Sequence, residues 1–384
     1  MRARSLIRTV ALTYRQSMRS IRKVATVGFT SLLAVALTTP TAVNAAPVSD
    51  AIAKPVPAAS AKVSKTLATS LSVPWGMAFL PTKNVLISQR DKGTIVRVTP
   101  SGTKKTIGTV AGVVSNGSSG GEAGLLGLAL SPNYVKDGWL YAYVSTKSDN
   151  RVVRMQYHDG TMGASHVIIR GIPKGLHHNG GALAFSHYGM LYICTGDAGN
   201  SARAQNKSSL GGKILRLWPG GTIPASNPFK GSPVWSYGHR NVEGLAFDAK
   251  NRLWATEFGE HTWDELNLIL KGHNYGWPAT EGKTSNPKYT TPKVVWKTSA
   301  GGPSSIAIRN GVAWIGALTG KRLCRVVLTG TSAGTPTSYF VGSYGRIRSV
   351  HVAPDGYLLI GTSNRDGRGS PASSDDRLLR LSVN

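Results

Sequence analysis

Apolar and polar residues alternate along this chain in short runs, and the runs recur in a fixed order. One run sets a charged or polar residue inside an apolar frame. It appears as Thr94-Ile95-Val96-Arg97-Val98, Arg151-Val152-Val153-Arg154-Met155, Lys213-Ile214-Leu215-Arg216-Leu217, Glu265-Leu266-Asn267-Leu268, Arg322-Leu323-Cys324-Arg325-Val326 and Arg377-Leu378-Leu379-Arg380-Leu381. Alternation of this kind over four to eight residues is the mark of a β-strand. Upstream of each copy lies a more apolar run: Trp75 to Phe79, Leu126 to Leu130, Ala182 to Phe185, Gly244 to Phe247, Ser305 to Ile308 and Arg348 to Val352. A turn signal follows, such as Asp248 to Asn251, Arg309-Asn310-Gly311 or Pro354-Asp355-Gly356, and then a second strand such as Leu253 to Thr256 or Tyr357 to Ile360. The unit is strand, tight turn, strand, longer loop, strand.

Six copies spaced roughly 45 to 60 residues apart predict a closed array of repeats. Antiparallel strands at that period suit the blade of a propeller. The expected fold is therefore all-β, a six-bladed β-propeller of four-stranded antiparallel blades, occupying residues 69–384. The last copy stops at its third strand, so its missing outer strand should come from the N-terminal side, near Val63 to Val73. That pairing would close the ring without a covalent link. Residues 46–68, rich in Ala, Pro, Ser, Val and Lys, read as a flexible lead-in.

Composition adds a compartment. Residues 2–23 carry seven basic side chains and no acidic one, Val24 to Leu37 is apolar, and Val43-Asn44-Ala45 supplies small residues. This is a signal-peptide pattern over residues 1–45, with cleavage expected after Ala45 and a secreted or extracytoplasmic product. An uncleaved anchor is the alternative. Taking those seven from the 45 Lys and Arg leaves 38, against 18 Asp and Glu. The basic residues are scattered over strands and turns with no run after the leader, so nucleic acid is not the expected partner. An anionic cell surface, or steering of acidic small molecules, fits such a charge better. The two cysteines, Cys194 and Cys324, sit in apolar strand runs of different repeats and are expected to be buried free thiols.

In a propeller the loops preceding the innermost strands converge on the axis. The polar residues there are Glu122, His177, His178, Arg240, Asn241, Arg346 and Arg348, drawn from four repeats. The stretch Val234 to Pro278 is the richest, with a cationic loop Gly238-His239-Arg240-Asn241 and a second loop of acids and glycines. A lone histidine is usually structural, but seven polar residues, several ionisable, held at similar positions in four repeats suggest a site. Arg97, Arg154, Arg216, Arg325 and Arg380 recur with the fold and are expected to hold strands or blades. Trp75, Trp254 and Trp277 are read as packing.

Several segments together resemble one family, the soluble quinoprotein glucose/sorbosone dehydrogenases. They are Gly121 to Leu130, His178-Asn179-Gly180-Gly181, Thr195-Gly196-Asp197-Ala198-Gly199, Gly212 to Leu217, Gly238 to Asn241, Asp264 to Asn267, Asn274-Tyr275-Gly276-Trp277-Pro278 and Gly345-Arg346-Ile347-Arg348. The resemblance implies pyrroloquinoline quinone (PQQ) held over the propeller axis with calcium against the quinone, and oxidation of an aldose sugar at C1 to its lactone by hydride transfer, with electrons passed to an unidentified acceptor. It implies His178 as general base, Asp197 as its orienting partner, Arg240 beside the quinone carbonyls with Asn241 next to it, and Arg346 and Arg348 on the PQQ carboxylates. It implies the backbone carbonyls of Gly259 and Glu260 on calcium, and Glu122 facing substrate with His177 as a pocket wall. Glu260 stands where the family often has Pro, and Ala182 follows the His178 motif where Arg is common. A fifth-blade Lys has no match, Thr319 being nearest. The chemistry suits these residue types: an imidazole backed by a carboxylate takes a proton near neutrality, guanidinium forks suit carboxylates, and calcium takes oxygen ligands. Two alternatives remain at this level, a calcium-dependent propeller lactonase and a propeller that binds PQQ or sugar without turnover.

Overall fold

The structure, a computed structural model, describes residues 60–158 and 160–383. The expected signal peptide, its cleavage point and residues 46–59 of the lead-in lie outside the described residues. Six antiparallel sheets follow one another along the chain, with strands in sequence order in all but the last, whose outer strand comes from the N-terminal side. Their first strands are Pro74–Phe79, Leu125–Leu130, Leu183–Phe185, Asn241–Phe247, Pro303–Arg309 and Ile347–Val352. Each first strand touches the first strand of the next sheet, and the sixth touches the first. The fold is a six-bladed β-propeller with these strands lining the axis. Helix is confined, among the described residues, to single turns such as Tyr134–Asp137 and Ala202–Gln205.

The ring closes as expected, with a shifted boundary. Ala61–Ala68 pairs antiparallel with Leu378–Val383 and becomes the outer strand of the sixth blade. Residues 61–68, assigned above to a flexible lead-in, therefore belong to the propeller, because the last strand offers a free edge that only a distant segment can cover. Leu67 and Ala68 are buried there with Leu71, Val98 and Leu378.

Neighbouring blades approach closely at the axis, and the sequence provides for it with glycine. A Cβ on Gly76 would lie 2.5 Å from the backbone N of Leu128, and one on Gly244 would lie 2.5 Å from the carbonyl of Ser304. Small hydroxyls then stitch the seams. Ser349 Oγ donates to the Trp75 carbonyl at 2.6 Å, Thr256 Oγ1 to that of Ser304 at 2.8 Å, and Ser304 Oγ to that of Arg348 at 2.7 Å. Buried donors and acceptors between sheets are thus paired where no ladder exists. Of the recurring arginines, Arg154 lies 4.2 Å over the Trp139 ring, Arg216 4.3 Å over Trp235 and Arg380 3.6 Å over Tyr357. They stack on the sheets, as expected. Cys194 and Cys324 are buried and free.

Leu67 lies buried on the closing strand, so Leu67→Ala should destabilise the protein by about 2–5 kcal/mol, the usual range for a core leucine. Urea unfolding measures it. An unchanged midpoint would mean that the closing strand contributes nothing.

Candidate active site

The polar loops meet at one end of the axis, and Asp197 lies at their centre. His178 belongs to a tight loop before the third blade's inner strand, where it takes a left-handed φ of 56°. Its backbone N donates to Glu122 Oε2 at 2.9 Å, tying the loop to the second blade. Its Nδ1 is 2.8 Å from Asp197 Oδ1. Asp197 also accepts from Gly199 N at 2.8 Å and from Trp277 Nε1 at 2.9 Å. Burial alone would push the Asp197 carboxyl up, yet the bonds from His178, Gly199 and Trp277 outweigh it and hold the pKa below the ordinary value. An ionised carboxylate only accepts, so Nδ1 carries the proton and Nε2 is left as the basic nitrogen.

Arg240 and Asn241 reach the same place from the fourth blade. Asp197 N donates to the Arg240 carbonyl at 2.8 Å. The Arg240 guanidinium lies 5.5 Å from the Trp277 ring centre. Asn241 is buried, accepting from Gly180 N at 3.0 Å and donating to Glu243 Oε1 at 3.1 Å. Beneath them Glu257 takes the Arg240 backbone N and His239 Nδ1, and His239 reaches Ser236 Oγ at 2.9 Å through Nε2. This Ser–His–Glu array is wholly buried and supports the Arg240 loop.

Arg346 and Arg348 arrive from the sixth blade already paired. Arg346 donates to Asp366 Oδ2 through Nε at 3.0 Å and Nη2 at 2.9 Å, and Arg348 donates through Nη1 to Glu243 Oε2 at 2.8 Å. The expected clamps on a cofactor carboxylate thus have carboxylates of their own. Burial pushes Glu243 above its ordinary range, with Arg348 opposing and Glu122 reinforcing. Burial works against the charge on Arg348 too, but Glu243 and Asp366 prevail and raise its pKa. Capacity remains: Arg240 Nε and Arg348 Nε are buried without a hydrogen-bond partner. Among the described residues Arg240 has no carboxylate at ion-pair distance. The nearby Glu243 is held by Arg348 instead.

Between the second and sixth blades, Arg368 donates to the Gly120 carbonyl at 2.8 Å and approaches Glu122 Oε1 at 3.3 Å and His177 Nδ1 at 3.2 Å. His177 is 44% exposed at its side chain, fitting a pocket wall. The fourth-blade loop lies on the other side. Gly259 N donates to Asp264 Oδ1 at 2.9 Å, and Asp264 Oδ2 accepts from Gly302 N at 2.6 Å. Gly302 packs against Thr319, which is exposed. Glu260 is exposed as well, its side chain 3.6 Å from His261. Among the described residues no group of three or more His, Cys, Asp and Glu is placed to hold a metal ion. A cation here would rest on backbone carbonyls.

His178, Asp197, Arg240, Asn241, Glu122, His177, Arg346 and Arg348 are therefore joined by a continuous chain of contacts. Trp277 corrects the sequence reading. It follows Gly276 in the fourth-blade loop and serves as donor to Asp197 and platform for Arg240, as well as packing. Glu243, Asp366 and Arg368 were missed; their partners lie 105, 20 and 191 residues away in the chain. Only the position of Glu243, two after Asn241, carried a signal.

The class is defined by an axial site on a six-bladed propeller in which a carboxylate-backed imidazole lies among guanidiniums. Residues 71–380 match the glucose/sorbosone dehydrogenase family model. The chain belongs to that family. A solved structure of aldose sugar dehydrogenase from Streptomyces coelicolor in its PQQ-bound form is 49% identical, superposes with a TM-score of 0.82, and covers 85% of this chain and 98% of its own. The aldose sugar dehydrogenase of Escherichia coli is 29% identical over 340 residues, 79% of this chain and 90% of that one. Quinoprotein glucose dehydrogenase B of Acinetobacter calcoaceticus is 30% identical over 260 residues, 59% of this chain and 54% of that one.

Two outcomes test the electrostatics. Trp277→Phe removes a donor from a buried carboxylate and should cost about 1–3 kcal/mol, read by urea unfolding. Burial, with Glu257 opposite, pushes the Glu265 carboxyl up to about 8. Its proton stays on in the folded state while the unfolded chain ionises at the ordinary carboxyl pKa. That contribution to stability is whole at low pH and disappears as pH rises from about 4.5 through about 8. Glu265→Gln is always neutral, so its urea midpoint in chelator should fall less between about pH 5 and about pH 8 than that of the unmodified chain.

Proposed function

We propose that the protein is a PQQ- and calcium-dependent aldose dehydrogenase that oxidises the C1 hydroxyl of a sugar to the lactone, outside the cytoplasm. The observation that carries this is the His178–Asp197 pair, bridged through Trp277 to Arg240. Family membership and the PQQ-bound Streptomyces coelicolor relative support it, and the leader of residues 1–45 supports the compartment.

The residues present fit the cofactor by their chemistry. Arg240 and Arg348 each keep a buried N–H without a partner, the kind of donor an anionic planar ligand satisfies. The carbonyls of Gly259 and Glu260 would hold calcium, with Asn241 and Thr319 flanking PQQ. When bound, PQQ supplies the hydride acceptor and calcium polarises its quinone. The chain does the rest. Asp197 keeps the proton on Nδ1, so His178 Nε2 faces the sugar as a base. It takes the C1 hydroxyl proton, and Asp197 stabilises the imidazolium that results. Glu122 positions this loop through its bond to His178 N, and with His177 and Arg368 forms the wall that meets the sugar. Electrons leave to an unidentified acceptor.

A second reading, a propeller that binds PQQ without turnover, is favoured by the pairing of Arg346 with Asp366 and Arg348 with Glu243. The lactonase alternative needs axial carboxylates free for calcium, but Glu122, Glu243 and Asp366 each face an arginine.

Purified apo-protein given PQQ, calcium and an aldose should reduce an electron-accepting dye. PQQ uptake with no dye reduction selects the binding reading. His178→Ala should lower kcat by about 10²- to 10⁴-fold, the usual contribution of a general base, while PQQ still binds. Retained turnover in that variant would remove His178 as the base.

A further inference from the structure

We propose that Glu281 is a positioning residue that sets the direction of the Gly259 and Glu260 carbonyls, and thereby the strength with which this loop holds a divalent cation. The inference rests on the reading above, in which those carbonyls ligate calcium.

Four consecutive backbone N–H groups converge on one oxygen. Glu260 N, His261 N, Thr262 N and Trp263 N donate to Glu281 Oε1 at 2.9, 3.1, 2.8 and 2.9 Å. A trans peptide unit is planar, and its N–H and C=O point in opposite directions. The Glu260 N–H and the Gly259 carbonyl share one such unit; the His261 N–H and the Glu260 carbonyl share the next. With both N–H groups turned toward Glu281, both carbonyls are turned away from it. The preceding N–H, that of Gly259, is taken by Asp264. Every N–H from 259 to 263 is therefore committed to a carboxylate.

The arrangement has no slack. A Cβ on Gly259 would lie 2.6 Å from Glu281 Oε1 and 2.0 Å from the Trp263 carbonyl, so only glycine fits where the loop wraps the carboxylate. Glu281 is anchored in turn, because Gly282 N donates to Glu265 Oε1 at 2.7 Å. An oxygen that receives four N–H donors has no room for a proton, so this carboxylate faces the loop as an acceptor. The loop thus presents oxygens in front and negative charge behind, which favours a hard cation.

The test is PQQ uptake by the apo-protein, followed by absorbance at increasing calcium, for the unmodified chain, Glu281→Ala and Glu281→Gln. Far-UV circular dichroism and the urea midpoint in chelator establish that each variant is folded. The calcium concentration for half-maximal uptake should rise about tenfold or more in Glu281→Ala, the scale on which outer supports of a metal site act. In Glu281→Gln, which keeps an acceptor oxygen and the volume but loses the charge, the rise should be smaller. The same final stoichiometry of PQQ is expected in all three. A calcium requirement unchanged in both variants overturns the positioning role while leaving the functional reading intact. If Glu281→Ala does not fold, an unchanged requirement in Glu281→Gln overturns it alone. Failure of the unmodified chain to take up PQQ with calcium overturns both.

Discussion

The site depends on one buried carboxylate. Asp197 holds the imidazole of His178 by one oxygen and the indole of Trp277 by the other, while its own backbone N–H reaches across to the fourth blade at Arg240. Three functions follow from one residue: the tautomer of the imidazole, the placement of an aromatic platform, and the docking of two blades. A carboxylate can do this only if burial is offset by donors, and three donors offset it here. Replacing it would leave the imidazole free to turn and the indole N–H without a partner.

The remaining charges are arranged so that little is left uncompensated. Arg346 faces Asp366, Arg348 faces Glu243, and Arg368 faces Glu122. Arg240 alone of the four lacks such a partner among the described residues. The axial end of the propeller therefore has a rim of paired arginines, with unpartnered N–H groups left on Arg240 and Arg348. Buried pairs of this kind contribute more to geometry than to net stability, which suits a site whose parts come from four blades.

Much of this was legible in the sequence. Alternation revealed the strands, and their recurrence revealed the ring, because each blade must present a similar apolar edge to its neighbour. His178, Arg240 and Arg348 could be found because loops before inner strands must converge. What could not be read were pairings made across the ring. Nothing near Arg348 in sequence except Glu243's proximity to Asn241 announces their bond, and nothing marks Trp277 as a donor rather than filling. The hold of Glu281 on residues 260–263 was least visible of all, since backbone N–H groups carry no letter in the sequence. The limits of the closing strand were blurred for a related reason: an outer strand meets solvent on one side and keeps a weak alternation, as the exposure of Ser64, Lys65 and Thr66 illustrates.

The strand that completes the sixth blade is the earliest part of the described chain, and its partner is the latest. Until Leu378–Val383 has been synthesised, Ala61–Ala68 has no edge to join. The ring is consequently open until residues 378–383 exist to receive residues 61–68. A ligand that needs the closed ring is met only by a chain already extended through Val383, not by its first five blades.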